Sequence, residues 1–313
     1  MRTLILILIV SLLSLSCWSQ TEGEILETEA NVKGRASSLT VSNYSLIEKF
    51  GEVQKGSLNW KSTYKFDVNG KYLEHSDYNS DGFRGKETYN YDTKGNPIEN
   101  NSYNSEGNIT YKDIYKYDTK GNLIEKDWCN GDGGLRFKDI YKYVANGNRI
   151  EETGYDPDGS ISNKVIYKYD GNGNKIESNK YRSDGSLISK DAYKYDANGK
   201  NTEWNGYDSN KRLSSKRTYK YDTRGNLIEE KSYNQDGIPG IKVIYKYDAN
   251  GNRIEWSTYY SNGSLAQKFT YKYEQYDKAG NWLKKTEFVS WLKNTEFISD
   301  YPVSITEREI KYY

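Results

Sequence analysis

The sequence predicts an all-β chain: tandem β-hairpin repeats of 26 residues forming one long antiparallel sheet. Three observations predict it. A tyrosine-rich motif returns at a fixed interval, two turn signals punctuate each interval, and aliphatic side chains are too few for a thick core. Of 313 residues, 32 are Tyr and only 35% are hydrophobic, and the mean hydropathy is -0.97. Tyr can take the aliphatic role, because its ring packs as apolar surface while its hydroxyl stays wet or hydrogen-bonded.

The motif Tyr-Lys-Tyr-Asp-x-x-Gly-Asn-x-Ile-Glu recurs, with variations, from Tyr64, Tyr89, Tyr115, Tyr141, Tyr167, Tyr193, Tyr219 and Tyr245, with a distorted ninth start at Tyr271. The first interval is 25 residues and the others are 26, a period that signals a repeat architecture. With the first Tyr of each copy as position 0, Glu holds position 10 in every copy, from Glu74 and Glu99 to Glu255. Lys stands three residues before each following Tyr, from Lys86 and Lys112 to Lys268. Tyr holds position 14 in seven copies and Cys129 replaces it in the eighth, so Cys129 reads as a filler of a Tyr slot rather than a nucleophile.

Each unit carries two turn signals, Asp-x-x-Gly as in Asp196 to Gly199, and Asn/Asp-x-Asp-Gly as in Asp156 to Gly159. Between them lie segments of strand length rich in Tyr, Ile and Lys. Lys94, Lys120 and Arg224 sit at turn centres that a type I′ loop would force to positive φ. A three-residue loop, a type I turn with Gly in the left-handed place, is therefore preferred over the two-residue loop. In that register position 2 faces 8, position 0 faces Glu at 10, and Tyr at 14 faces the aliphatic at 20. One face would carry Tyr167, Tyr169, Tyr181 and Leu187, and the other Lys168, Ile176 and Lys190. In the alternative register Tyr at 14 moves to the lysine side. Either way equivalent residues slip two places per unit, which predicts a twisted, coiling sheet, a spiral or partly closed shell.

The ends differ from the array. Residues 1–19 have Arg2, an apolar run from Leu4 to Leu15 and small residues after it, the pattern of a signal peptide too short to anchor as a transmembrane span. The alternative to simple cleavage is a lipidated Cys17. Residues 20–57 read as an N-terminal tail and cap with one short helix or strand, 58–270 as the array, and 271–313 as a distorted last repeat and C-terminal cap. The final segments, Trp282 to Phe297 and Ile305 to Tyr313, are expected to close the sheet edge. The chain is expected to be exported: periplasmic, on the cell surface, or extracellular.

The reiterated Tyr-x-Tyr-Asp-x-x-Gly-Asn-x-Ile over residues 58 to 285 resembles the YD repeat of the Rhs and wall-associated families, and the chain looks like a short secreted member of Bacteroidetes type without a toxin domain. That resemblance implies a β-sheet wound into a shell and, loosely, carbohydrate or surface interaction.

Chemistry is sparse. Forty-five basic residues against forty-four acidic give a net charge of +1, which excludes nucleic acid as a default partner. The single His75 is expected at the surface and removes histidine-based catalysis and metal binding. The glutamates recur once per unit and read as structural, and no pair of acids unique to one copy stands out as a glycosidase pair. No catalytic residue, metal or cofactor is expected; Asp170 to Asn174 is turn chemistry rather than a calcium loop. Residues that break the repeat are the better candidates, and Trp128, Trp204 and Trp256 are the proposed ligand-stacking residues, beside Trp60 and Trp282. Packing between strands is the plainer reading of these indoles. The expected function is a binding scaffold for glycan or a cell-surface polymer, and the alternative is a structural or protein-interaction module.

Overall fold

The computed structural model describes residues 32–49, 52–293 and 296–313. The expected signal peptide, Cys17 and most of the N-terminal tail lie outside the described residues. Twenty strands fill the described residues: β1 (Ala36–Lys49), β2 (Glu52–Phe66), β3 (Tyr72–Asn79), β4 (Gly82–Tyr91), β5 (Pro97–Asn104), β6 (Ile109–Tyr117) and β7 (Leu123–Asn130). Then come β8 (Leu135–Tyr143), β9 (Arg149–Tyr155), β10 (Ile161–Tyr169), β11 (Lys175–Arg182), β12 (Leu187–Tyr195), β13 (Asn201–Tyr207) and β14 (Leu213–Tyr221). The last are β15 (Leu227–Asn234), β16 (Pro239–Tyr247), β17 (Arg253–Tyr259), β18 (Leu265–Tyr276), β19 (Trp282–Lys293) and β20 (Glu296–Tyr312).

Every strand pairs antiparallel with the next in sequence, and β20 returns to pair with β1, from Ala36 opposite Tyr312 to Ser45 opposite Ser304. The sheet is a closed barrel, not the spiral or partly closed shell expected. The segment read as an N-terminal cap supplies β1 and the start of β2, both long strands. A twenty-stranded barrel is wider than side chains alone can fill. The slip gives the strand tilt that closure requires. Tyr167 pairs with Ser178, Ser178 with Asp191, and the next Tyr is two residues further on at Tyr193. Two residues of about 3.3 Å across two strand spacings of about 4.8 Å tilt the strands by about 35°, an ordinary barrel tilt.

The turns take the expected three-residue form. The Gly173 N–H donates to the Asp170 carbonyl at 3.1 Å and the Asp170 N–H to the Asn174 carbonyl at 2.9 Å. Only Gly173 in this loop has positive φ, 85°. The Asp170 Oδ1 accepts from the backbone N–H groups of Asn172 and Asn174 at 2.9 and 2.8 Å, and Oδ2 from the Asn174 amide at 2.9 Å.

The faces differ from expectation. Position 2 does face 8 (Tyr169 and Lys175) and 14 does face 20 (Tyr181 and Leu187). A bulge follows each turn of the repeat array from β2 to β18, however. Lys168 then pairs with Glu177 and Tyr167 with Ser178, while Lys180 pairs with Ser189. The extra residues, Ile176 and Ile188, change the alternation, because one inserted residue re-aims the side chains beyond it. Tyr181 and Leu187 therefore share the face of Lys168, Glu177, Asn179 and Lys190, whose side chains line one concavity with them, and not the face of Tyr167 and Tyr169. Glu at position 10 meets Lys at position 1 rather than Tyr at 0. Both faces carry charge, Lys168 and Glu177 on one, Lys175 and Asp191 on the other, unlike the apolar outer band of a lipid-embedded barrel. No described helix is long and apolar enough to cross a membrane.

Two devices hold neighbouring units together. On the tyrosine face, the position-2 hydroxyl donates to the position-8 carbonyl of the preceding unit: Tyr117 to Pro97 at 2.8 Å, Tyr143 to Leu123, Tyr169 to Arg149 and Tyr195 to Lys175 at 2.7 Å, Tyr221 to Asn201, Tyr247 to Leu227 and Tyr273 to Arg253 at 2.9 Å. At the seam, Leu39 and Val41 of β1 are fully buried in a cluster with Ala36, Tyr64 and Phe66. Tyr195→Phe, which deletes one rung of the hydroxyl ladder, is expected to cost about 1 kcal/mol, read as a lowered urea midpoint at unchanged m-value. An unshifted midpoint would show that the rung adds nothing.

Candidate functional site

The two faces of the wall are chemically distinct. On the lysine face, the position-10 glutamates are gripped by lysines, two from flanking strands at Glu74, Glu125, Glu151, Glu177, Glu203 and Glu255, and one, Lys112, at Glu99. Lys168 and Lys190 reach Glu177 at 2.8 and 2.6 Å, and Lys194 and Lys216 reach Glu203 at 2.8 and 2.7 Å. The Asn179 and Asn205 amides donate to the same carboxylates at 2.7 and 2.9 Å. For Glu177, burial acts to raise the carboxyl, but the hydrogen bonds from Lys168, Lys190 and Asn179 outweigh it and bring it down to about 2. For Glu203, the bonds from Asn205, Lys194 and Lys216 do the same, to about 2. Each cross-strand pair contributes about 0.2–1 kcal/mol. Cys129 fills its Tyr slot on this face, buried, with burial and then Asp127 and Asp113 pushing its thiol upward, the state of an inert packing residue.

On the tyrosine face, position-8 cations lie between successive rings. The Arg149 guanidinium is 5.1 Å from the Tyr141 centroid and 5.2 Å from Tyr167, and the Lys175 ammonium is 5.6 Å from Tyr167 and 5.0 Å from Tyr193. Burial first, then a neighbouring carboxylate, pushes the phenols of Tyr141 and Tyr167 well above the ordinary range. This face also holds the positions that differ from copy to copy. Positions 11 and 24 pair across strands, as Ser178 with Asp191, Trp204 with Arg217, and Trp256 with Phe269. Positions 13 and 22 pair beside them, as Trp128 with Phe137 and Gly206 with Ser215.

All three tryptophans proposed from the sequence lie in these variable rows, but the structure does not bring them together. Trp204 on β13 and Trp256 on β17 are separated by four strand spacings, about 19 Å, and Trp128 on β7 lies six spacings from Trp204, about 29 Å. The Trp128 indole N–H donates to Asp139 Oδ2 at 3.1 Å, the Lys126 ammonium sits 3.2 Å from its ring centroid, and 38% of the residue is exposed. The Trp204 N–H donates to Asp191 Oδ1 at 3.1 Å. Its ring lies over Gly206, where a Cβ would meet Trp204 at 2.9 Å. Trp256 stacks on Phe269 with centroids 5.1 Å apart and planes at 12°. Trp282 is buried beneath the Arg308 guanidinium, 4.4 Å from its ring, and Trp60 packs against the seam cluster.

Other residues of these rows were not legible without the register. His75 is half-buried rather than fully at the surface: it stacks flat on Tyr64 at 4.5 Å and 3°, with Nε2 3.1 Å from Asp77 Oδ1, because position 11 faces the tyrosine side. Asp139 and Glu152, thirteen residues apart, become near neighbours flanking Tyr141. Glu152 pairs with Tyr141 across the strands, and the Tyr141 hydroxyl is 3.5 Å from Asp139 Oδ2. Burial raises the Asp139 carboxyl, Glu152 adds to the rise, and the Trp128 indole opposes it. Glu152 accepts from the Tyr167 hydroxyl at 2.9 Å and lies 3.4 Å from Arg149. Tabulating which repeat positions vary, rather than which stay fixed, is the signal that finds these residues.

A concavity of about 610 Å³ opens on the lysine face, lined by Lys168, Glu177, Asn179, Tyr181, Leu187, Lys190, Tyr207 and Lys211, with Gly185 at its margin. Lys211 has φ of 62° in the turn headed by Asp208, at the place of Gly159, Gly185 and Gly237 in other units. A side chain in that conformation costs about 1–2 kcal/mol.

No family model matches the chain, and no curated protein matches it. Among solved structures, the chain is similar to a TcdB2–TccC3 toxin complex, at 14% identity and a TM-score of 0.36, covering 78% of this chain and 16% of that one. It is also similar to a porin-like protein from Bacteroides uniformis, at 12% identity and a TM-score of 0.38, covering 90% of this chain and 99% of that one. A porin-like protein from Bacteroides vulgatus matches at 14% identity and a TM-score of 0.28, covering 89% and 98%. The chain thus spans about a sixth of the toxin chain.

Two outcomes are expected from this geometry. Glu177 and Glu203 titrate at about 2 when folded and about 4.3 when unfolded. A depressed carboxylate stabilises fully above its unfolded value, so urea midpoints should hold down to pH ~5 and fall as pH approaches ~2, and a flat profile over that window contradicts the Lys–Glu–Lys arrangement. Lys211→Gly relieves the left-handed backbone and, after the entropy Gly gains in the unfolded chain, should raise stability by about 0.5–1 kcal/mol, measured by thermal denaturation.

Proposed function

We propose that the protein is an exported, non-catalytic binding scaffold whose tyrosine face recognises an extended carbohydrate, at the cell surface or in the periplasm. The observation that carries this reading is the segregation of sequence variation. The lysine face repeats Lys, Glu, Lys and Tyr from unit to unit, whereas the tyrosine face concentrates the differing residues in two adjoining rows. A surface that only had to hold the wall together would have no reason to vary so much more on one side than on the other, where Lys, Glu and Tyr recur and the changes fall chiefly in the rows of Asn179 and Ala192. Trp128, Trp204 and Trp256 supply flat apolar platforms in those rows, and the nearby Glu152 and Asp191 supply acceptors for hydroxyl groups. Platforms tens of ångströms apart suit a polymer that touches several units better than a single sugar. The resemblance of the motif to YD repeats points the same way, toward a surface polymer.

The second reading, an assembly or protein-interaction module, needs an open sheet edge or an exposed face of the sheet. Pairing of β20 with β1 leaves the described sheet without a free edge, so this reading retains only the face. A glycan array on the mature protein, run beside light scattering, separates the two. Polysaccharide binding that weakens about tenfold in Trp128→Ala, Trp204→Ala or Trp256→Ala supports the scaffold reading. Concentration-dependent oligomers with no glycan signal overturn it in favour of assembly.

A further inference from the structure

The concavity on the lysine face carries a charge that the wall does not need. Lys168 and Lys190 share the carboxylate of Glu177, which is the arrangement repeated in neighbouring units. Lys211 adds a third lysine to the lining, and among the described residues it has no carboxylate within ion-pairing distance. Three cations therefore face one anion in a chain that is nearly neutral overall.

The origin of that extra charge matters. Gly107, Gly133, Gly159, Gly185, Gly237 and Gly263 hold the left-handed place in the corresponding turns of other units, each with positive φ. The turn headed by Asp208 has the same hydrogen bonds, with the Lys211 N–H donating to the Asp208 carbonyl at 3.0 Å and the Asp208 N–H to the Arg212 carbonyl at 2.9 Å. Lys211 improves nothing in this turn. It strains the backbone where glycine would not, and what it adds is an ammonium over a cavity. Strain kept at one copy of a repeated turn, beside a cavity with an unbalanced charge, is the signature of a binding residue.

We propose that this concavity binds an acidic saccharide of the uronic-acid class, its carboxylate held by Lys211 and its rings against Tyr181 and Tyr207. The volume, about 610 Å³, is that of a site for a ligand of two or three sugar rings. Tyr181, Tyr207 and Leu187 offer apolar surface to the C–H faces of the rings, and Asn179 adds an amide to the polar lining. Because Glu177 offsets only half of the charge of Lys168 and Lys190, and Lys211 adds a further cation, the uncompensated charge suits one carboxylate on each of two rings rather than a polyphosphate. The site lies on the opposite face from Trp128, Trp204 and Trp256, so it goes beyond the role proposed for them and does not depend on it.

The test is calorimetric titration of the mature protein with trigalacturonic acid, using maltotriose as the neutral comparison. Trigalacturonic acid is expected to bind and maltotriose to bind at least about tenfold more weakly. Lys211→Asn tolerates the left-handed backbone without the charge, and with Lys211→Gly it should lose about tenfold in affinity with no fall in thermal midpoint. Lys211→Arg should stay within about threefold of the parent, and Lys94→Ala, which removes an exposed turn lysine elsewhere, should match it. Raising salt from about 0.05 to 0.5 M should weaken the interaction severalfold. Absence of trigalacturonate binding at about 10 mM, equal binding of maltotriose, or parental affinity in Lys211→Asn each overturns the proposal.

Discussion

The carboxylate or amide within each turn, at its head in most and two residues further on in the turns headed by Val144, Arg182 and Tyr260, is the constraint on which the molecule depends. Asp170 shows how it works: one oxygen accepts two backbone N–H groups of the loop and the other accepts a side-chain amide. Asp118, Asp222 and Asp248 repeat the arrangement. The loop is closed by its own side chain before any strand pairs, so each reversal is a local event. A chain with so few aliphatic residues cannot rely on collapse around a central core. It folds as a series of hairpins, each of which finds its neighbour immediately in sequence.

Stability is correspondingly distributed. The apolar cluster of Leu39, Val41, Tyr64 and Phe66 sits only at the seam. Elsewhere the wall is held by ladders: tyrosine hydroxyls on strand-end carbonyls, cations between rings, and lysines sharing a glutamate. Each contact is worth little by itself. Their repetition along every hairpin does what a core does in a compact domain, and it leaves both faces of the sheet chemically usable.

Much of this was legible in the residues. The period, the strand content, the three-residue loops and the two-residue slip all follow from Asp/Asn-x-x-Gly spacing and from which residues occupy turn centres. The faces were not, because they depend on Ile176 and Ile188, single extra residues with no sequence mark of their own that shift every pairing beyond them. For that reason Tyr181 lies on the lysine face, His75 lies under the tyrosine rows, and Asp139 approaches Glu152, none of which the spacing alone reveals. Closure was also out of reach of local reasoning, since it joins β1 to β20 from opposite ends of the chain. Of the candidate residues, the tryptophans were found because they interrupt a pattern. Lys211 interrupts one just as clearly, but its meaning needed the cavity.

The two-residue offset between successive copies has a consequence for how such a molecule can change. Adding or deleting one copy alters strand number by two and the cumulative offset by two residues together, so their ratio, and with it the inclination of the strands, stays constant. Only the girth changes. Lineages carrying this unit can thus resize the ring by whole copies, widening or narrowing its circumference without rebuilding a single turn, provided the terminal strands still meet.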